Sequence, residues 1–253
     1  MKQIEVVFLG TNGWFPTETG DTPCVLIKTP DFSILFDAGN GLRKADQYLK
    51  TRKGHPVFLF LSHFHIDHIS GLHFLAKFSF PQGLMIGCHQ GGKKILETFV
   101  NQPFTMSLAD LPFKTKVIEL KEGRHRNFPF GLLCRNLIHS TTCYGYRLEI
   151  GKKAIAYCTD TGRCPAVLEL AQGADLLILE CAHRPGETSP GWPHLNPEEA
   201  ALTAKEAGVR KLVLMHFDAH SYPSWKERQK AHTIARKIFP STLAARDGDR
   251  MVL

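Results

Sequence analysis

A chain of 253 residues can bury a full core, and its 43% hydrophobic and 22% charged residues are ordinary for a water-exposed globular protein. No apolar run approaches the roughly 20 residues of a bilayer span, and Glu5 falls where a signal peptide needs its apolar stretch, so neither membrane insertion nor export is expected. The net charge of +7 favours anionic partners such as phosphodiesters, but no dense Lys/Arg block appears, and a solvated surface of this charge that touches no nucleic acid is the alternative.

In chain order, Ile4 to Leu9 reads as an apolar strand closed by the turn cluster Gly10-Thr11-Asn12-Gly13. Cys24 to Lys28 and Ser33 to Asp37 form a hairpin pattern about Pro30-Asp31. A polar helical stretch covers Leu42 to Lys50, a buried strand Val57 to Leu61, and helical spacing resumes from Ile69 to Phe78. Further strands are expected at Val117 to Leu120, Leu132 to Ile138, Gly145 to Ile150, Ile155 to Cys158, Leu176 to Leu179 and Leu212 to Met215. Pro197 to Ala207 is a helix with Asn196 as N-cap, Glu199 closing a capping box and Gly208 ending it. A last helix runs from about Trp225 to Ile238. No linker or repeat interrupts the chain, so a single domain over residues 1–253 is expected. The seven cysteines (Cys24, Cys88, Cys134, Cys143, Cys158, Cys164, Cys181) are odd in number and never spaced C-x-x-C. They suit buried thiols in a reducing compartment, and the expected location is the cytoplasm.

Four apolar runs lead directly into a metal-capable residue: VFLFLS into His63, LCRNLI into His139, AIAYCT into Asp160 and LVLM into His216. Loops at the ends of core strands hold ligands rigidly within reach of a substrate. The segment Ser62-His63-Phe64-His65-Ile66-Asp67-His68 places three imidazoles and a carboxylate in six positions, a donor set suited to zinc and similar divalent ions. Four donors this close cannot all reach one ion without strain. His63 and His65 can face one ion and Asp67 and His68 a second, with His139, Asp160 and His216 as the further ligands.

The pattern H-x-H-x-D-H after an apolar strand, then a His, an Asp and a C-terminal His, resembles the metallo-β-lactamase superfamily over nearly the whole chain. The resemblance implies an α/β fold, a four-layer αββα sandwich, and a centre of two divalent ions, zinc first, with manganese or iron as alternatives. His63, His65 and His139 would hold one ion, Asp67, His68 and His216 the other, and Asp160 would bridge them. Two such ions lower the pKa of bound water and clamp attacking and leaving oxygens. A carboxylate at position 160 argues against antibiotic hydrolysis, since zinc β-lactamases commonly carry a thiolate there. The second histidine of the motif argues against the diiron flavoprotein branch.

Within the superfamily, Phe8 to Gly13, Leu35 to Gly39, Ala174 to Glu180 and His194 to Ala201 are similar to the ribonuclease Z and phosphodiesterase branch. That likeness implies His194 as the acid that protonates the leaving oxygen, with Glu180 orienting it and Asp67 completing the catalytic residues. A carboxylate partner raises an imidazole's pKa and fixes its tautomer. Packing at the start of the Pro197 helix is the alternative for His194. Three departures stand out. Only a short hairpin, Thr141 to Cys158, occupies the place of a tRNA-gripping arm, and both the Thr19-Gly20-Asp21-Thr22 loop and the Phe217 to Tyr222 segment differ from the enzyme.

The expected function is therefore a metal-dependent phosphodiesterase, a nuclease or a small-diester hydrolase, acting on a small molecule or RNA. The alternatives are a tRNA 3′-processing endoribonuclease, a thiolester or lactone hydrolase of glyoxalase type, and a non-catalytic binding protein on the same fold. Trp192 and Trp225 are candidates to stack on a base or to pack the rim. His220 could touch substrate, Arg124-His125-Arg126 could attract phosphate, and His89, His125 and His183 carry no motif. The oligomeric state stays open, a homodimer being one alternative.

Overall fold

Runs such as Val6-Val7-Phe8-Leu9 and Val57-Phe58-Leu59-Phe60 are apolar at every position, the pattern of strands covered on both faces, and every one of these residues is buried. The computed structural model describes residues 3–49, 54–189 and 191–253. Met1, Lys2 and Lys50, the expected end of the polar helix, lie outside the described residues.

The strands are β1 (Glu5–Gly10), β2 (Asn12–Gly13), β3 (Cys24–Lys28), β4 (Ser33–Phe36), β5 (Val57–Phe60), β6 (Leu84–His89), β7 (Thr115–Leu120) and β8 (Gly123–His125). They continue as β9 (Gly131–Asn136), β10 (Tyr144–Ile150), β11 (Lys153–Cys158), β12 (Leu176–Glu180), β13 (Leu212–Met215), β14 (Phe217–Asp218), β15 (Thr242–Ala244) and β16 (Arg250–Val252). The α-helices are α1 (Ile66–Ile69), α2 (Gly92–Phe99), α3 (Pro165–Ala171), α4 (Pro197–Glu206) and α5 (Trp225–Ile238).

Internal contacts divide the chain into two units. The first comprises Met1–Gly10, Gly20–Lys121 and Asp247–Leu253, the second Thr11–Thr19 and Glu122–Arg246. In the first, seven strands run in the order β16-β1-β3-β4-β5-β6-β7, antiparallel as far as β4 and parallel from β4 to β7. One face, with Leu26, Leu35, Leu59 and Ile86, packs on Leu42, Ala45, Leu72 and Leu96 from the helical segments. In the second unit the order is β15-β13-β12-β11-β10-β9-β8, parallel from β15 to β11 and antiparallel beyond. Its face bearing Leu177, Leu179, Leu212 and Leu214 packs on Val167, Leu170, Ala200, Ala204, Ala231 and Ala235 of α3, α4 and α5. The short strands β2 and β14 pair with each other in the second unit. The mixed α/β class with two large sheets is as expected from the sequence.

Parallel neighbours finish at the same edge of a sheet, and that edge is where ligands gather in open α/β sheets. In the first unit this aligns the ends of β4 and β5; in the second it aligns β11, β12 and β13.

The α4 helix carries its full capping box: Asn196 Oδ1 accepts from the Glu199 amide at 2.9 Å and Glu199 Oε2 from the Asn196 amide at 3.2 Å. The last helix has the expected bounds. Two helical expectations need correction. The polar stretch is a 3₁₀ helix over Asn40–Gln47, and the 69–78 stretch is α1 followed by a 3₁₀ segment, Ser70–Lys77, with Phe74 outside helical dihedrals. Gly71 explains the second: its amide donates to Ala38 O at 2.7 Å, and an added Cβ would lie 2.4 Å from Gly39 O. Tertiary contact with that backbone overrides the helical spacing. Strands β6, β8, β15 and β16 and helices α2 and α3 were not expected from periodicity.

Candidate metal centre

In the first unit, the chain leaves β5 extended and turns into α1 at His65, the residue that precedes the helix. His63 and His65 thus precede the helix, His65 with extended backbone, and Asp67 and His68 come from its first turn. Ring centroids lie 4.5 Å apart for His63 and His65 and 4.2 Å apart for His63 and His68. Asp67 Oδ2 is 3.5 Å from His68 Nε2.

A residue outside the expected set organises this cluster. Asp37, at the end of β4, accepts the Ser62 amide at 2.7 Å, the Ser62 hydroxyl at 2.9 Å and His68 Nδ1 at 2.8 Å. A carboxylate only accepts, so Nδ1 carries the proton and Nε2 offers its lone pair, the arrangement that orients histidine ligands in metal sites. The available signal was a fifth instance of the strand-end pattern, since SILF runs directly into Asp37.

In the second unit, β9 lies antiparallel to β10 and β10 to β11, so β9 runs the same way as β11; His139, Asp160 and His216 follow, and Glu180 ends, strands that finish at one edge. Asp160 Oδ1 is 3.1 Å from His216 Nε2 and accepts Thr159 Oγ1 at 2.6 Å; Asp160 Oδ2 is 3.9 Å from His139 Nε2. Glu180, fully buried, accepts His194 Nδ1 at 2.7 Å and the amides of Thr161 (2.5 Å), Ala182 (3.2 Å) and Leu195 (3.3 Å). Four donors lock that carboxylate, and it in turn locks the His194 ring. Burial by itself pulls the His194 imidazolium down, but the charge and hydrogen bond of Glu180, aided by Asp160 and Asp218, outweigh it and hold the group up at about 9. His194 stacks on His216 with centroids 5.9 Å apart and planes 14° from parallel, and its ring lies 5.3 Å from His139. Donor atoms of Asp160, His194 and His216 all lie within 4.8 Å of one another.

The 11–19 loop seats His216. Phe217 and Ala219 amides donate to Thr11 O (3.1 Å) and Gly13 O (3.2 Å). Gly13 lies so close to the imidazole that an added Cβ would sit 2.6 Å from His216 Cε1. Behind the loop, the buried Arg228 donates to Thr11 Oγ1 (3.0 Å), to Asn12 Oδ1 and to Thr19 Oγ1 (3.1 Å), with its guanidinium over the rings of Phe217 and Trp225. Sequence reasoning missed Gly13 and Arg228 in these roles. Non-glycine residues with positive φ are Trp14, Asp37, Asp160 and His216 among the described residues, at 73°, 57°, 52° and 52°. Such backbone is strained and persists where surrounding contacts enforce it, as they do at three of these strand ends.

Imidazole and carboxylate donors of this kind suit a divalent metal ion, and within the second unit those of Asp160, His194 and His216 stand close enough together to hold one. Of the lesser candidates, Trp225 packs against Arg228 and Arg246. Trp192 lies beside His194 and His139 with centroids at 5.6 and 6.2 Å, and the His183 ring, given no role from the sequence, is 5.8 Å from His194. Arg124 is paired with Glu149 at 3.0 Å, and His220 is exposed in its loop. No helix among the described residues is long and apolar enough to cross a membrane.

The β-lactamase superfamily domain model matches residues 33–217. Among curated proteins, the probable metallo-hydrolase YhfI of Bacillus subtilis is 30% identical, over 85% of this chain and 87% of that one. Ribonuclease Z of Synechococcus sp. (strain CC9605) is 27% identical over 96% of both. Among solved structures, the metallo-β-lactamase fold protein YhfI of Bacillus subtilis superposes with a TM-score of 0.83 at 25% identity, covering 100% of each chain. A family match over most of the chain, relatives that are hydrolases, and clusters of histidine and aspartate at the strand ends lead to one conclusion: the chain belongs to the β-lactamase superfamily and is a metal-dependent hydrolase of metallo-β-lactamase fold.

Proposed function

We propose that the chain is a phosphodiesterase of ribonuclease Z type, one hydrolase domain over residues 1–253 acting in the cytoplasm on an RNA or small phosphodiester. The buried Glu180–His194 pair carries this reading, at 2.7 Å and beside Asp160 and His216. An alkoxide leaving group needs a proton far more than a thiolate does, and an imidazole oriented by a buried carboxylate is placed to supply one. Seven buried free thiols support the cytoplasmic assignment.

In this reading His63, His65 and His139 hold one divalent ion, zinc in the first instance, Asp67, His68 and His216 a second, and Asp160 is shared. Bound ions of this kind supply Lewis acidity and activate water for attack on phosphorus. The protein's own contribution is positional. Asp37 sets the His68 tautomer, Gly13 seats the His216 ring, and Glu180 aims His194 at the departing oxygen.

The curated relatives named ribonuclease Z favour an RNA substrate. Against tRNA itself stands the segment between His139 and Asp160, where β10 and β11 pair antiparallel through a two-residue turn at Gly151-Lys152 and leave no length for an arm. With defined zinc or manganese, bis-p-nitrophenyl phosphate and cyclic nucleotides should be hydrolysed, a thiolester should not, and precursor tRNA should be processed weakly. Turnover of the thiolester alone, or efficient single-site cleavage of precursor tRNA at nanomolar enzyme, would overturn the assignment.

A further inference from the structure

Trp192 is half exposed, at 51%, while the histidines beside it are buried. A singly exposed apolar side chain says little about function by its exposure alone. This one differs in where it stands and how it is held. Its amide donates to Ser189 O at 3.1 Å, and its carbonyl accepts the His194 amide at 2.9 Å and contacts His183 Nε2 at 3.2 Å. Pro193 follows and restricts the backbone further. The indole then abuts the rings of His194 and His139. Ile138, 53% exposed and one residue before His139, approaches the same Gly162 backbone as Pro193, so a second apolar side chain faces water close by. The other tryptophans are engaged elsewhere: Trp225 with two arginines and Trp14 edge-on with Phe15 at 5.1 Å.

We infer that Trp192 is an aromatic subsite that stacks a planar ring of the substrate, so that the preferred phosphodiester carries a nucleobase next to the bond that is cleaved. The ring requirement comes from the exposed indole; its identification as a nucleobase rests on the phosphodiesterase reading above. Base–aromatic stacking tolerates any base, so the subsite selects for the presence of a base and not for its identity. Ile138 adds a second exposed apolar side chain near Pro193.

The test compares two substrates with one leaving group: the p-nitrophenyl ester of thymidine 5′-monophosphate and its abasic sugar analogue. The parent should favour the base-bearing ester. Trp192→Ala should lower kcat/KM for it about 5- to 150-fold, the worth of one stacked base, mainly through KM. The abasic ester should lose much less, so that the preference for the base-bearing ester collapses, and Trp192→Phe should restore most of that preference. Thymidine 5′-monophosphate binding by calorimetry, parent against Trp192→Ala, reads the subsite without turnover. A short 3′-extended RNA as a third substrate separates the sources of the base: a Trp192 effect on the RNA larger than on the mononucleotide ester places the natural base in a polynucleotide. Equal losses on both esters, or nucleotide binding that ignores the substitution, would overturn the inference. Binding that depends on Trp192 with no diester hydrolysis would sink the phosphodiesterase reading and leave the subsite standing.

Discussion

Gly13 makes the sharpest demand on the proposed mechanism, because it holds no chemistry and no ligand of its own. A Cβ at position 13 would stand 2.6 Å from His216 Cε1, 2.8 Å from Nδ1 and 3.0 Å from Nε2. Ordinary carbon contacts are about 3.5–4.0 Å, so loop and ring must separate by roughly 1 Å. The loop is the less able to move, since Arg228 ties Thr11, Asn12 and Thr19 together behind it. The ring therefore yields, which disturbs its 3.1 Å approach to Asp160 Oδ1 and its stack on His194. A displacement near 1 Å in a catalytic group costs about 10²-fold, and disturbing the support of a metal ligand costs about 10- to 100-fold in affinity. Gly13→Ala should thus weaken zinc binding in competition with a chromophoric chelator by about 10- to 100-fold and lower kcat/KM about 10²-fold. The metal-free protein should lose only about 1 kcal/mol, or about 2–4 °C in Tm, because the methyl group is relieved by ring movement and not by core expansion. If Gly13→Ala binds zinc and turns over within about twofold of the parent, the seat at His216 is not what positions that ligand.

Three further outcomes are expected. His194→Ala should cut turnover of an alkyl or ribosyl diester about 10²- to 10⁴-fold while sparing p-nitrophenolate esters and retaining metal, with Glu180→Gln milder; loss of metal would instead make His194 a ligand, as its proximity to Asp160 and His216 allows. Elemental analysis should find about two divalent ions per chain, and their removal by chelator should abolish hydrolysis until zinc or manganese is restored; protein without metal and without rescue would refute the ligand assignment. Arg228→Met keeps the volume of a fully buried side chain but strands its hydroxyl and amide partners, and should lower Tm by on the order of 10 °C, read by calorimetry, where a change within error would show the clamp to be dispensable.

What chain order indicated by itself is a set of candidate donors and where each stands relative to its strand. An apolar run must end where the sheet meets water, so His63, His139, Asp160 and His216 declare themselves as residues of a sheet edge before any topology is known. The helix start at Asn196-Pro197 is equally local, because a capping box is closed by residues three apart. What only the tertiary structure decided is which strands are neighbours. Asp37 serves His68 because β4 lies beside β5, and Glu180 meets Thr161 because β12 lies beside β11. Gly13 and Arg228 gain their roles from contacts with residues 203 and 217 positions away in sequence. The helical expectation over 69–78 failed for the same reason, Gly71 being pressed against the Ala38–Gly39 backbone. Periodicity reports which face of an element is buried; it carries no information about the element that buries it.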